Sequence, residues 1–516
     1  MSPSKKIVLI RGRQVFSHPT TRHDWHVVEN GGLLVAGDTI LDVGEFQGLR
    51  EANPGATVIG DGSHVILPGF VNSHHHIGLT TIQLGVPDLP LELWLNARLK
   101  QRPVDPYLDT LYSAFEMIGS GVTTVQHLRG GQFGNAQAVN DTADAIIKAY
   151  EDVGMRVSLG MGVRDQNRLH QQMDDETFVA TLPAEMRERV GRQLQRFPLS
   201  LDDFFDVYAD MSRRYSGRPL VRTQLAPPNL HWMSDASLAR FAEASAKSGD
   251  LMHLHLDETQ YQKEYARRRG GGSAIDYIAG FDLLSPRLTL GHGVWLNEND
   301  VDRIANHNVH ICHNCSSNFR LRSGIAPLNY FEKKGVEVAI GIDEAGINDD
   351  RDMLQEMRMV LNAHRVPGVE DGVPTAGQVL RMATRCGALT TPFGDRIGHL
   401  VPGALADLSM IEWSSVAKPY LDPDTPVLAA VLHRAKPSSV ARVIIGGEIV
   451  YEEGHFSRID REAIMERIEE VMSRPRTPLE DEARQTAKEI VRHIRASYGG
   501  YVGKEHRPYY TYNSKK

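Results

Sequence analysis

Between Gly69 and Gly398, short apolar runs alternate with longer helical segments, and no other feature of this 516-residue chain narrows its fold as far. The runs are Phe70–Ser73, Val122–Val125, Arg156–Gly160, Leu220–Leu225, Leu251–Leu256, Leu288–Leu290, Val309–Cys312 and Val336–Ile342. Most are aliphatic and β-branched, and all are too short for an ordinary helix. Alternation of this kind builds parallel sheets, because a parallel connection needs a crossover long enough to hold a helix. Eight strands suit closure into a (β/α)8 TIM barrel, with an open α/β sheet as the alternative on pattern alone. The expectation is an α/β fold with the barrel over residues 69–398.

The flanks read differently. Residues 7–66 hold short strands split by Gly, Asn and Asp turns: Ile7–Ile10, Leu33–Ala36, Thr39–Val43, Thr57–Asp61 and Val65–Leu67. The same style returns after Arg396, in Asp407–Glu412, Val427–Val431 and Val440–Tyr451, the last broken by the turn Gly446-Gly447. The economical arrangement is one small β-sandwich built from both ends of the chain, residues 1–68 and 399–457. Residues 458–516 form a tail with helices expected over Arg461–Val471 and Glu480–Ser497. It ends in Tyr498, Tyr501, Tyr509, Tyr510 and Tyr512. Disordered tails are poor in aromatics. This one therefore reads as an arm packed on another surface, a neighbouring subunit being the candidate, in a homo-oligomer (dimer or tetramer).

Hydrophobic residues make up 41% and charged residues 24%, which allows a sizeable core. A net charge of -8 without a long basic block argues against nucleic acid or an anionic membrane as partner. Three cysteines (Cys312, Cys315, Cys386) make no disulfide framework and suit a reducing cytoplasm. The apolar stretch Ile7–Ile10 is too short for a secretory leader, and no run of 18 apolar residues suggests a membrane span. The expected location is cytoplasmic and the expected partner a small molecule.

Chemistry concentrates at the strand ends. Leu67-Pro68-Gly69-Phe70-Val71-Asn72-Ser73 runs into His74-His75-His76. Alternate side chains of a strand share a face, so His74 and His76 project together and His75 points away. A surface histidine run would bind nothing, but other strands supply matching groups. Leu251-Met252-His253-Leu254-His255-Leu256-Asp257-Glu258 carries a histidine and then a carboxylate, Leu290-Gly291-His292 a single histidine, and Ile340-Gly341-Ile342 leads into Asp343-Glu344. In a barrel the C-terminal strand ends form one ring, so these residues converge.

These motifs resemble the amidohydrolase superfamily, in which an H-x-H pair closes the first barrel strand. The similarity is strongest to the branch of s-triazine hydrolases, guanine deaminase and methylthioadenosine/S-adenosylhomocysteine deaminases. Supporting stretches are Asp88–Leu95, Gly121–Val125, His313–Leu321 and Gly398–Leu408, and the match runs from about residue 6 to 455. The resemblance implies a metal-dependent hydrolase acting on carbon–nitrogen bonds other than peptide bonds. It implies one divalent ion per chain held by His74, His76, His255 and Asp343, with Zn²⁺ first and Fe²⁺ or Mn²⁺ as alternatives. It makes Glu258 the proton shuttle, His292 the group polarising the substrate, and Asp343 a second acid–base group. His127, Trp94, Glu344 and Asn318 are the candidate substrate contacts. Binuclear relatives use a lysine at the fourth strand. Val221–Leu225 has none, and Lys247 lies in the following helix.

Two departures bear on substrate. Leu225 stands where purine-type deaminases of this branch carry histidine, and Glu344 follows the last-strand aspartate where they carry glycine. The expected substrate is a small N-heterocycle, amidine, urea or amide. Displacement of chloride or thiol from such a ring, or a non-catalytic scaffold on the same fold, are the alternatives. Glu344 either faces the substrate, favouring N–H donors or positive charge, or pairs with an arginine such as Arg320 or Arg322.

Overall fold

The computed structural model describes residues 7–131, 134–171, 173–195, 199–369 and 372–503. Eight parallel strands stand in sequence order: Phe70–His75, Val122–Arg129, Arg156–Met161, Val221–Leu225, Met252–Leu256, Leu288–His292, His310–His313 and Val338–Ile340. Four of the eight are buried along their whole length, which is why they read as continuous apolar runs rather than as alternating ones. The ring closes between the first and last strands. Asn72 Oδ1 accepts from the backbone N–H of Ile342 (3.0 Å) and of His74 (3.3 Å), and Asp343 N–H donates to His74 O (2.8 Å). Close approach at this seam requires Gly341, because a Cβ there would stand 2.4 Å from the Cβ of His74. The fold is thus the expected TIM-like barrel.

Strands from both ends of the chain form the second body. A seven-stranded sheet runs His455–Phe456, Glu448–Glu452, Val440–Ile445, Leu408–Glu412, His64–Pro68, Gln14–Pro19 and Trp25–Glu29. Its N- and C-terminal halves join where His64–Pro68 pairs antiparallel with Leu408–Glu412. A four-stranded sheet, Thr39–Glu45, Gly31–Ala36, Ile7–Arg11 and Thr57–Ile59, packs on it through Ile10, Val15, Leu33, Ile66, Leu408 and Ile444. One expected strand is a helix: Val427–Val431 lies in the helix Val427–Arg434. Leu428, Val431 and Leu432 are buried at helical spacing, and a short apolar run carries no period that tells strand from helix. Trp25–Glu29 went unread because it is a half-exposed edge strand.

A buried ion pair ties the two bodies together. Arg156, opening the third barrel strand, donates from Nε to Asp407 Oδ2 (2.6 Å) and from Nη2 to Asp407 Oδ1 (3.0 Å), both side chains being about 2% exposed or less. Asp407 Oδ1 also accepts from Gly446 N–H (2.7 Å). Removing one partner strands a buried charge, so Asp407→Ala should lower unfolding free energy by about 3–5 kcal/mol. Denaturant melts of the variant test this, and a loss below about 1 kcal/mol would show that water or relaxation compensates the guanidinium.

The tail helices span Arg461–Ser473 and Pro478–Ser497. Tyr498 and Tyr501 pack inside this chain, against Tyr261 and the second tail helix, rather than reaching outward for another surface. Tyr509, Tyr510 and Tyr512 lie outside the described residues. No described helix is long and apolar enough to cross a membrane.

Candidate active site

The barrel's C-terminal face opens into a cavity of about 510 Å³, the size of a small-molecule site. His76, His255, Glu258, His292, Asp343 and Glu344 line it, so strands one, five, six and eight deliver their end residues to one place. Three of these ends leave the strand through left-handed backbone: Asp257 (φ 48°), His292 (φ 75°) and Asp343 (φ 65°). Such conformations cost non-glycine residues on the order of 1–3 kcal/mol and persist where the surroundings enforce them. Here they turn the chain sharply beside the cavity.

The imidazole nitrogens converge. His76 Nε2 lies 3.0 Å from His74 Nε2 and 3.2 Å from His255 Nε2. Asp343 Oδ1 is 3.4 Å from His76 Nε2 and 3.7 Å from His74 Nε2. His76 Nδ1 faces Leu128 O at 2.9 Å and must donate to it, which leaves Nε2 as a bare lone pair. His74 Nδ1 is tied to His253 Nε2 at 2.9 Å, and its own Nε2 faces the cluster. Burial, reinforced by the neighbouring imidazoles, holds His74 and His255 well below the usual histidine pKa, so both are neutral. Lone pairs and a carboxylate oxygen aimed at one point repel one another unless a cation stands between them. This donor set therefore fits a divalent ion, and three histidines with one aspartate leave room for a water. Lys247, the lysine nearest the fourth strand in sequence, is exposed on the helix Asp235–Ser248.

The acid–base groups stand beside this cluster. Glu258 Oε2 and Asp343 Oδ2 lie 3.9 and 3.8 Å from His292 Nε2. Asn318 Oδ1 is 2.9 Å from His292 Nδ1, so the ring donates there and turns Nε2 toward the two carboxyls. Burial pushes the Glu258 carboxyl up, and the nearby Asp343 pushes it the same way. Gln262 and Ser323 hold it, each at 3.4 Å. Ser317 Oγ donates to Asp343 Oδ2 at 2.6 Å.

The four candidate substrate contacts divide. Trp94, His127 and Glu344 line the cavity, whereas Asn318 does not and instead orients His292. His127 gives Nδ1 to a 3.0 Å contact with the Tyr150 hydroxyl, while its buried Nε2 has no hydrogen-bond partner among the described residues. Glu344 is paired, but with neither arginine named from sequence. Arg98 Nη1 donates to its Oε1 at 2.6 Å, while Arg320 serves Asp88 and Asp349. The Arg98 guanidinium also lies 4.7 Å over the Trp94 ring, one helical turn away.

Several functional neighbours escaped the sequence reading. His253 shares a strand face with His255, so period two pointed to it. Ser317 and the arginines around the cavity left no local signal. Arg164 is the notable one. It stacks on Trp232 at 3.5 Å, and among the described residues it makes no ion pair and its Nε has no hydrogen-bond partner. Burial, with Arg98 and Arg168 close by, lowers its pKa to about 9.

A closed parallel barrel with such a ring of histidines and carboxyls at its C-terminal mouth, joined to a sandwich from both chain ends, defines a class of hydrolases. The chain belongs to the amidohydrolase family, whose model matches residues 65–450. It is 26% identical to a 5-methylthioadenosine/S-adenosylhomocysteine deaminase of Thermodesulfovibrio yellowstonii over 86% of this chain and 93% of that protein. It is 29% identical to the enzyme of that name from Pyrococcus abyssi, over 90% and 98%. Among solved structures, an adenosine deaminase from Xanthomonas campestris with bound zinc superposes with a TM-score of 0.75 at 23% identity, over 94% of this chain and all of that one. Atrazine chlorohydrolase from Arthrobacter aurescens TC1, complexed with zinc, gives 0.76 at 21%, over 90% and 100%.

Proposed function

We propose that this chain hydrolyses a carbon–nitrogen bond of a small nitrogen heterocycle, as a deaminase or related amidohydrolase with one divalent ion, Zn²⁺ first. The observation that carries the reading is the convergence of the His74, His76 and His255 nitrogens with Asp343 beside Glu258 and His292. When bound, the ion supplies Lewis acidity that draws the pKa of a coordinated water toward ~7. Asp343 Oδ2, steadied by Ser317, is placed to take a proton from the attacking water. Glu258, whose carboxyl pKa burial pushes up, is placed to deliver one to the leaving nitrogen. His292 Nε2 faces both carboxyls and so sits where charge develops on the substrate. The test is release of ammonia or amine from a panel of adenosine, 5-methylthioadenosine, S-adenosylhomocysteine, s-triazines and ureas, run beside metal analysis. Failure on every ring substrate would overturn the heterocycle assignment.

The charge of the cavity refines the substrate. Glu344 is neutralised by Arg98, so it does not call for a cationic substrate. Arg164 faces the same space and makes no ion pair among the described residues, which favours a substrate carrying an anionic substituent away from the ring. A hydrogen bond to a charged group is worth about 1.5–3 kcal/mol. Arg164→Gln should therefore raise KM for an anionic substrate roughly 10–100-fold, with little change for its uncharged analogue. Equal losses on both would remove Arg164 as the anion contact. Leu225 remains a departure from purine-type relatives, so we place the nucleosides in the panel as one class among several.

A further inference from the structure

The walls of the cavity are long insertions. The segment Leu91–Arg102 leaves the first barrel strand's loop, and residues 164–171 and 173–194 leave the third strand's loop. Neither insertion belongs to the barrel core; both belong to a separate apolar cluster that includes Leu93, Leu169, Phe178, Ile490, Ile494 and Tyr498. The last three come from the C-terminal tail, which lies beyond the family match at residues 65–450. The helix Pro478–Ser497 starts on a capping box between Thr477 and Glu480, with Pro478 in its first turn, so its start is well defined.

Tyr498, at the end of that helix, meets the second insertion directly and shares the apolar cluster with Leu93 of the first. Its ring stacks on His170 with centroids 4.2 Å apart, and its hydroxyl accepts from Gln171 N–H at 3.1 Å. Glu92, on the wall helix Leu91–Ala97, accepts from Thr259 Oγ1 at 2.6 Å, and Thr259 directly follows Glu258. The tail grips the wall from its other end as well: Arg102, a cavity-lining residue, donates to Met472 O (2.7 Å) and Arg474 O (3.0 Å). Arg268, on the helix after Glu258, donates to Tyr501 O at 2.7 Å. The tail is therefore where the two insertions and the segment behind Glu258 are joined.

We infer that the C-terminal helix, through Tyr498, braces the wall that carries Trp94 and Arg98, and so sets the width of the cavity and the substrates it accepts. Tyr498 does not line the cavity; it is a positioning residue, acting through His170, Gln171 and the Leu91–Arg102 segment. The inference rests on the reading of that cavity as the substrate site, but its first test needs no substrate.

That test is hydrogen exchange on the full-length metal-loaded protein. Tyr498→Ala should speed exchange of amides in residues 91–102 and 168–171 about tenfold or more, as a local opening does. Strand 252–256 and the metal content should stay as in the parent. Tyr498→Phe, which keeps the ring on His170, should restore most of the protection, and Tyr498→Leu keeps apolar bulk should the alanine variant not fold. On whichever panel compound is turned over, KM should rise about tenfold while kcat stays within about twofold. Unchanged exchange over 91–102 overturns the brace, and so does acceleration spread evenly through the barrel strands. If no panel compound reacts, the proposed reaction fails while the exchange result still decides the brace.

Discussion

Glu258→Gln should keep the full complement of metal and lose on the order of 10²–10⁴ in kcat, the usual worth of a positioned acid–base group. The amide preserves shape and can still meet Gln262 and Ser323, the two groups holding the carboxyl. What it loses is the proton. Burial raises the Glu258 pKa, so the protonated form persists to higher pH than for an exposed glutamate. Its contribution to turnover is present below that raised value and falls as pH climbs through it. The parent enzyme should therefore show an alkaline limb in kcat that the glutamine variant lacks. A variant with parental kcat, or one that keeps the limb, would assign the proton transfer to another group, with His292 next in place.

His255→Ala should remove the metal itself and take activity to background. His255 contributes one of the converging lone pairs, and its Nε2 is 3.2 Å from that of His76. Structural and catalytic metal sites couple tightly to their ligands' geometry, so losing one imidazole of three leaves a site too weak to retain the ion through dialysis. Metal analysis should give about one ion per parental chain and close to none for the variant. Chelation of the parent should abolish activity, and the divalent ion should restore it. Two ions per chain would overturn the mononuclear reading, and full activity of the metal-free protein would overturn the mechanism. Together with the glutamine variant this separates holding the ion from moving the proton.

Much of the framework was legible. The barrel strands stood out because burial on both faces demands continuous apolar runs, and their regular alternation with helices left little choice of architecture. The sandwich was legible in outline, but Val427–Val431 was misread because five apolar residues satisfy either period. At the site, His74 and His76 announced themselves by spacing. His253 carried the same signal two residues before His255, although its partner, the His74 ring, lies across the barrel. Glu344 shows the opposite case. Nothing near it in sequence selects Arg98 over Arg320, and it is the pairing itself, with either arginine, that removes the call for a cationic substrate.

By itself the sequence determined which residue types stand at the ends of the strands, and hence what chemistry is available. Those are local properties, set by side-chain alternation and by the period of burial. Only the tertiary structure decided that four strand ends meet with neighbouring polar atoms 3.2–3.9 Å apart, that Arg98 neutralises Glu344 while Arg164 makes no ion pair among the described residues, and that the tail packs behind the cavity wall. Each of these depends on pairs separated by tens to hundreds of residues. Their partners are selected by barrel closure and by the burial of shared apolar surface, which no short stretch of sequence encodes.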